Sequence, residues 1–175
     1  MRLDHHQGLH LGQRHRCRGS AATERLGHHH GKGSGLLLKT LLRDCDAELA
    51  AWVRSKFQYS IGGYDMAVGI LDDGALVGCF MFHAYNGHDV ELSYFGPNTM
   101  DLGITRKIAR IAVDELGVSR ITVRTARNNK IIKRGIKKLG FEFEGIRKHG
   151  YGEYDAIMYG LYGHNLMRMA GKVMQ

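Results

Sequence analysis

The segment from Arg120 to Gly145, RITVRTARNNKIIKRGIKKLGFEFEG, constrains this chain more than any other stretch. Its first seven residues alternate β-branched side chains with polar or basic ones, the period-two pattern of a strand with one buried face. Asn128 and Asn129 then offer side-chain oxygens to the free N–H groups of the next turn, which predicts a helix N-cap. Ile132, Ile136 and Leu139, with Ile131 beside them, form an apolar helical face opposite Lys130, Lys133, Arg134, Lys137 and Lys138. Gly140 follows the last apolar position as a left-handed C-cap, and Phe141-Glu142-Phe143-Glu144 resumes strand alternation. The unit reads strand, turn, helix, strand.

The flanking sequence extends this pattern on both sides. Residues 1–35 hold seven of the eleven histidines (His5, His6, His10, His15, His28, His29, His30), seven glycines and few large apolar side chains. Such a stretch buries too little to offset its chain entropy, which predicts a disordered extension before a domain at 36–175. Leu36 to Leu42 suits a first strand, and Asp44 or Asp46 can cap a helix running to about Phe57 with Leu49, Trp52, Val53 and Phe57 at helical spacing. Gln58 to Asp65 is a loop. Met66–Leu71 and Ala75–Tyr85 flank Asp72-Asp73-Gly74 as a hairpin, and Asn86-Gly87 turns into a third antiparallel strand at 88–95. After Gly96-Pro97 a helix to about Leu116 carries Ile104, Ile108, Ile111, Ala112 and Leu116 on one side, and Gly117 ends it. His149 to Glu153 reads as a glycine-rich loop, Tyr154 to Leu161 as a last strand, and Asn165 to Val173 as a terminal helix.

Composition narrows the function classes. A length of 175 residues fits one core. Three cysteines, Cys17, Cys45 and Cys79, lack metal-type spacing and point to a reducing compartment, here the cytoplasm. No apolar run is long enough to span a membrane, and the N-terminus has no apolar signal region, so neither a membrane nor a metal is expected as a partner. The net charge of +8 is misleading as a global signal. Half of it lies in residues 1–35, where six cations (Arg2, Arg14, Arg16, Arg18, Arg25, Lys32) face Asp4 and Glu24. The basic helix face reads first as a solvated surface, and the lack of interleaved aromatic residues makes nucleic acid its weakest partner.

Asn129 opening a short helix, with Gly140-Phe141 at its end and a strand beyond, resembles the last conserved block of the GNAT superfamily of acyl-CoA-dependent N-acyltransferases. Glu144-Gly145-Ile146 and Asp155-Ala156-Ile157-Met158-Tyr159-Gly160-Leu161 are similar to the closing strands of that fold, and the likeness covers about residues 36–175. The resemblance implies an α/β (α+β) fold, a mixed and mostly antiparallel sheet flanked by helices. It implies transfer of an acyl group, acetyl in the first instance, from acetyl-CoA to a small-molecule or protein amine, with a homodimer as one assembly. A rival reading is a non-catalytic GNAT-shaped structural or interaction protein, similar to GNAT-like proteins encoded near phage structural genes.

The same resemblance assigns the site residues. Glu91, in the fourth strand, is the expected general base, with His83 and His88 as second choices. Backbone N–H groups from Leu92 to Phe95 would polarise the thioester carbonyl; Tyr94 is a candidate cofactor contact and, with Tyr151, Tyr154 and Tyr159, a candidate acid. The family's phosphate-binding turn, Q/R-x-x-G-x-G/A, aligns with Asn98-Thr99-Met100-Asp101-Leu102-Gly103, so Asn98, Thr99, Leu102, Gly103 and Ile104 are expected around the pyrophosphate. Asn129 and Lys133 complete the expected cofactor contacts. Two positions depart from the pattern. Asp101 stands where a glycine is usual, and Ile136 stands where a Tyr seven residues after the motif Asn commonly protonates the leaving thiolate.

Overall fold

The computed structural model describes residues 39–57, 61–97 and 101–172. The expected extension at 1–35 and the start of the expected first strand lie outside the described residues. Eleven elements follow in chain order: β1 (Thr40–Leu42), α1 (Asp46–Phe57), β2 (Met66–Asp72), β3 (Ala75–His83), β4 (Asp89–Phe95), α2 (Leu102–Asp114), β5 (Arg120–Ala126), α3 (Lys130–Lys138), β6 (Glu142–Tyr151), β7 (Tyr154–Tyr162) and α4 (Gly163–Ala170). One seven-stranded sheet runs β1-β2-β3-β4-β5-β7-β6. Every neighbouring pair is antiparallel except β4 and β5, which are parallel. The expected mixed, mostly antiparallel sheet flanked by helices is the observed architecture.

Local chemistry explains most boundaries. Asp73 and Gly74 both take positive φ (49° and 77°), as a two-residue turn of the type that matches strand twist requires. Asn86 closes the next turn by accepting from the N–H groups of His88 and Asp89. The Asn129 side chain accepts from the Ile132 N–H at 3.1 Å and starts α3, and Gly140 at φ 89° ends the turn after it. Asp46 acts otherwise than expected. Its carboxylate accepts from the Ala67 N–H at 2.6 Å and ties α1 to β2.

The strand period sends consecutive residues into two different cores. Val68, Phe80, Phe82, Val90, Ile121, Ile157, Tyr159 and Leu161 face α2, α3 and α4, where Ile104, Ile108, Ile111, Ile136, Leu166 and Met169 meet them. Ala67, Cys79 and Met81 face the other way, onto Cys45, Leu49, Ala50 and Val53 at and just before α1. Each fully buried side chain of this size contributes about 1.5–3 kcal/mol. An exposed ion pair such as Arg43–Glu115, at 2.5 Å, contributes about 0–1 kcal/mol. Apolar burial therefore holds the layers together. Cys79 is a buried free thiol.

Three expectations need correction. The stretch 149–153 is not a loop throughout, because β6 continues to Tyr151 and only Gly152 and Glu153 turn. Its Gly150 is required by packing: a Cβ there would stand 2.5 Å from the Ala156 Cβ on the adjacent strand. Ile131 does not join the buried face of α3, being 65% exposed while Ile136 is buried. Phe57 is also exposed, capping the end of α1 with its ring 5.6 Å from Trp52 and 5.7 Å from Phe95. Among the described residues no helix is long and apolar enough to cross a membrane.

Candidate active site at the splay of β4 and β5

The parallel pairing of β4 with β5 lasts only three rungs: Asp89 with Arg120, Val90 with Ile121, and Glu91 with Thr122. Beyond Glu91, β4 pairs only with β3, and beyond Thr122, β5 pairs only with β7. The two strands diverge, and a cleft opens at their carboxyl ends. Helix α2 starts after β4 and α3 starts after β5, so both N-termini lie toward that end of the sheet. A crevice at the carboxyl ends of parallel strands is where α/β sheets commonly receive ligands. The two strand edges that face each other there have no strand between them and can take an extended, amide-bearing ligand as if it were another strand.

The chemistry of the α2 N-terminus follows from Asp101. Its Oδ1 accepts from the Ile104 N–H at 3.1 Å, and its carbonyl accepts from the N–H of Thr105 and from the Thr105 hydroxyl, both at 2.9 Å. The carboxylate therefore holds one of the donors that a phosphate at this helix end would seek. Gly103 leaves room beside this carboxylate, since a Cβ there would lie 3.1 Å from Asp101 Oδ1. Leu102 is exposed and Ile104 is buried in the core. Asn98 and Thr99 lie outside the described residues.

Across the cleft, Asn129 is committed as the cap of α3, and the Lys133 ammonium donates to the Arg127 carbonyl at 2.5 Å. Ile136, at the position where the resemblance implies a phenol, is 5% exposed and sits in the first core. It has no proton to give.

Glu91 and Tyr94 occupy opposite faces of β4. Leu92 and Tyr94 pack against the first core, with the Tyr94 ring 4.7 Å from Phe80. The ring lies over Gly78, and a Cβ on Gly96 would meet the Tyr94 hydroxyl at 2.5 Å, so the phenol leans toward β3. Burial pushes its pKa up from the ordinary value. Nearby Asp72 lines a small cleft with Tyr94, Asp101 and Thr105, and its Oδ1 is buried with no hydrogen-bond partner among the described residues.

Glu91 points to the second face, where it is not alone. The Arg124 Nε lies 2.5 Å from Glu91 Oε1, across the mouth of the splay. His83 is the direct cross-strand neighbour of Glu91 on β3. Its Nδ1 is 3.1 Å from the Gly63 carbonyl, and its Nε2 is buried without a partner among the described residues. With Nδ1 donating, Nε2 carries the lone pair, but it is shielded from solvent. Farther along the same face, Arg120 binds Asp89 at 3.3 Å and also Glu144, while Thr122 donates to Asp89. The hydrogen bond that Arg120 donates to Glu144 leads the causes that raise the Arg120 pKa.

Arg124 and His83 are the site neighbours that sequence alone could not join to Glu91. The signal was present in part: Arg120, Thr122 and Arg124 recur at period two on one strand face. Nothing local says which strand that face meets. Among the described residues no group of three His, Cys, Asp or Glu side chains could hold a metal ion.

No family model matches the sequence, and no curated protein matches it either. Solved structures do match. A structure assigned only provisionally as an acetyltransferase aligns with a TM-score of 0.61 at 14% identity, covering 83% of this chain and 96% of that one. The ribosomal-protein-S18-alanine N-acetyltransferase of Escherichia coli aligns with a TM-score of 0.54 at 19% identity, covering 73% of this chain and 98% of that one. The spermidine/spermine N-acetyltransferase SpeG of Vibrio cholerae aligns at 0.53 and 14% identity, covering 69% and 79%. The element order, the three-rung parallel pair and these alignments agree on one architecture, and the chain therefore has the GNAT fold.

Proposed function

We propose that the chain is an N-acyltransferase that passes an acyl group, acetyl in the first instance, from an acyl-CoA to an amine by direct attack. The observation that carries this reading is the divergence of β4 and β5 after three rungs, beside the N-termini of α2 and α3. That geometry leaves backbone donors and acceptors from Leu92 onward for an amide-bearing arm. It also sets helix N–H groups at the end where a pyrophosphate would be held. The residues fit such a ligand in part. Leu102 and Gly103 have N–H groups near the helix start, while the Ile104 N–H is held by Asp101. Asn129 and Lys133 border the opposite wall.

In this reading Glu91 takes a proton from the amine as the N–C bond forms. Backbone N–H groups between Leu92 and Phe95 stabilise the oxygen that becomes negative. The C–S bond then breaks, and the sulfur receives a proton from Tyr94 or from solvent. The phenol is protonated at neutral pH, and burial, which raises its pKa, makes it a weaker acid and leaves solvent the larger share of this step. The compartment proposed for this chemistry is the cytoplasm.

The reading is tested by calorimetric titration of acetyl-CoA into the full chain, with adenosine 3′,5′-bisphosphate as competitor, followed by acetyl transfer to a panel of amines. Micromolar, competed binding and transfer to at least one amine are expected. Absence of binding at millimolar ligand would refute it.

A further inference from the structure

Arg124 and Arg120 are two residues of one alignment on the same face of β5, yet they are used differently. Arg120 is surrounded: it donates to Glu144 and Thr122 and pairs with Asp89. Among the described residues the Arg124 side chain makes one hydrogen bond, from Nε to Glu91 Oε1. Its two Nη groups, which carry four N–H donors, have no acceptor among the described residues. Glu91 Oε2 likewise has no donor among them. The Arg124 side chain is 31% exposed and that of Glu91 19%, so both reach solvent. The second apolar cluster, built on α1, β2 and β3 with Phe95 at its border, does not extend over β5. Among the described residues, that cluster leaves the pair uncovered.

A guanidinium edge with two parallel N–H groups matches a carboxylate in a plane and fits little else as well. Beside it, a carboxylate oxygen without a donor fits an amine. Glu91 stands at the last paired rung of β4 and β5 and Arg124 two residues past it, where the strands part. We propose that the acceptor is a small amino carboxylic acid, its carboxylate on the Nη edge of Arg124 and its amine on Oε2 of Glu91. This inference rests on the acyltransferase reading and narrows it: the amine and the acid group must lie within a few bonds of each other. Arg124 acts as a binding residue that fixes which amine faces the thioester, while Glu91 takes the proton.

The experiment measures kcat/KM for acetylation, by the full chain with acetyl-CoA, of paired acceptors: alanine, phenylalanine and glutamate against their α-carboxamides. Losing the contact to Glu91 affects both members of a pair alike, and comparing variants cancels their difference in basicity. The acid-to-amide ratio therefore isolates the carboxylate contact. Between wild type and Arg124→Gln that ratio falls by roughly tenfold or more, with the change in KM, as expected for a charge-assisted double hydrogen bond. Arg124→Lys, which keeps the charge and loses the fork, gives an intermediate ratio and serves if the Gln variant does not fold. An unchanged ratio in both variants overturns the inference. Transfer to amines without a carboxylate and none to the acids also overturns it, while leaving the acyltransferase reading intact. No transfer to any amine overturns both.

Discussion

Asp101→Asn separates two roles that one carboxylate holds at the start of α2. Asn caps a helix about as well as Asp, so the bond to the Ile104 N–H, at 3.1 Å, survives the change. What is lost is the charge. On stability this removes a charge–dipole attraction of about 0.3–1 kcal/mol, a small drop in the melting midpoint. On binding the sign reverses. A phosphate at this helix end competes for the same N–H group and would stand about 5 Å from the carboxylate, where like charges repel by about 1 kcal/mol in bulk water and about 3 kcal/mol at an effective dielectric of about 20. Asp101 is exposed, which favours the smaller figure. Acetyl-CoA should therefore bind Asp101→Asn about five- to tenfold more tightly than wild type, since 1.4 kcal/mol is about a factor of ten. Isothermal titration at low salt reads this directly, and added salt should shrink the difference. Asp101→Ala is the control: it also removes the charge but loses the cap, at about 1 kcal/mol of stability. Affinity that is unchanged or weaker in Asp101→Asn, with the fold intact, would refute the placement of phosphates at α2.

Two further outcomes follow from burial. Ile136→Tyr restores a phenol at the position the family resemblance singles out, but the site is 5% exposed and filled, so the variant should lose about 1–3 kcal/mol in urea unfolding and gain no turnover. A stable, faster variant would contradict that account. Burial pushes the Cys79 thiol from 9.0 up to about 12. Below the lower value both states hold the proton. Between the two values only the unfolded chain ionises, so stability falls as pH rises, and Cys79→Ala should flatten that limb. Alkylation of native Cys79 at mildly alkaline pH, followed by mass spectrometry, should be far slower than in denaturant. Equal rates would show the thiol to be accessible.

What the sequence determined by itself is the local layer of this protein. Asn129 as a cap, Gly140 as a stop, the Asp73-Gly74 turn and the alternation of Val90, Leu92 and Tyr94 against Glu91 depend on residues a few positions apart, and short-range sterics and hydrogen bonding settle them. The order of strands and helices follows, and with it the GNAT-like architecture. Where two glycines suggested a loop at 149–153, pairing with β7 prevailed, because Gly150 serves the close approach to Ala156. The candidate site belongs to the other layer. That β4 and β5 part after three rungs, that Arg124 reaches Glu91 from 33 positions away, and that Glu91 and Tyr94 end on opposite faces beside different neighbours were decided only by tertiary structure. The physical reason is that a parallel pair joined through a crossover helix takes its register from how that helix packs on the sheet, and no residue near Glu91 or Arg124 in the chain encodes the partner across the gap.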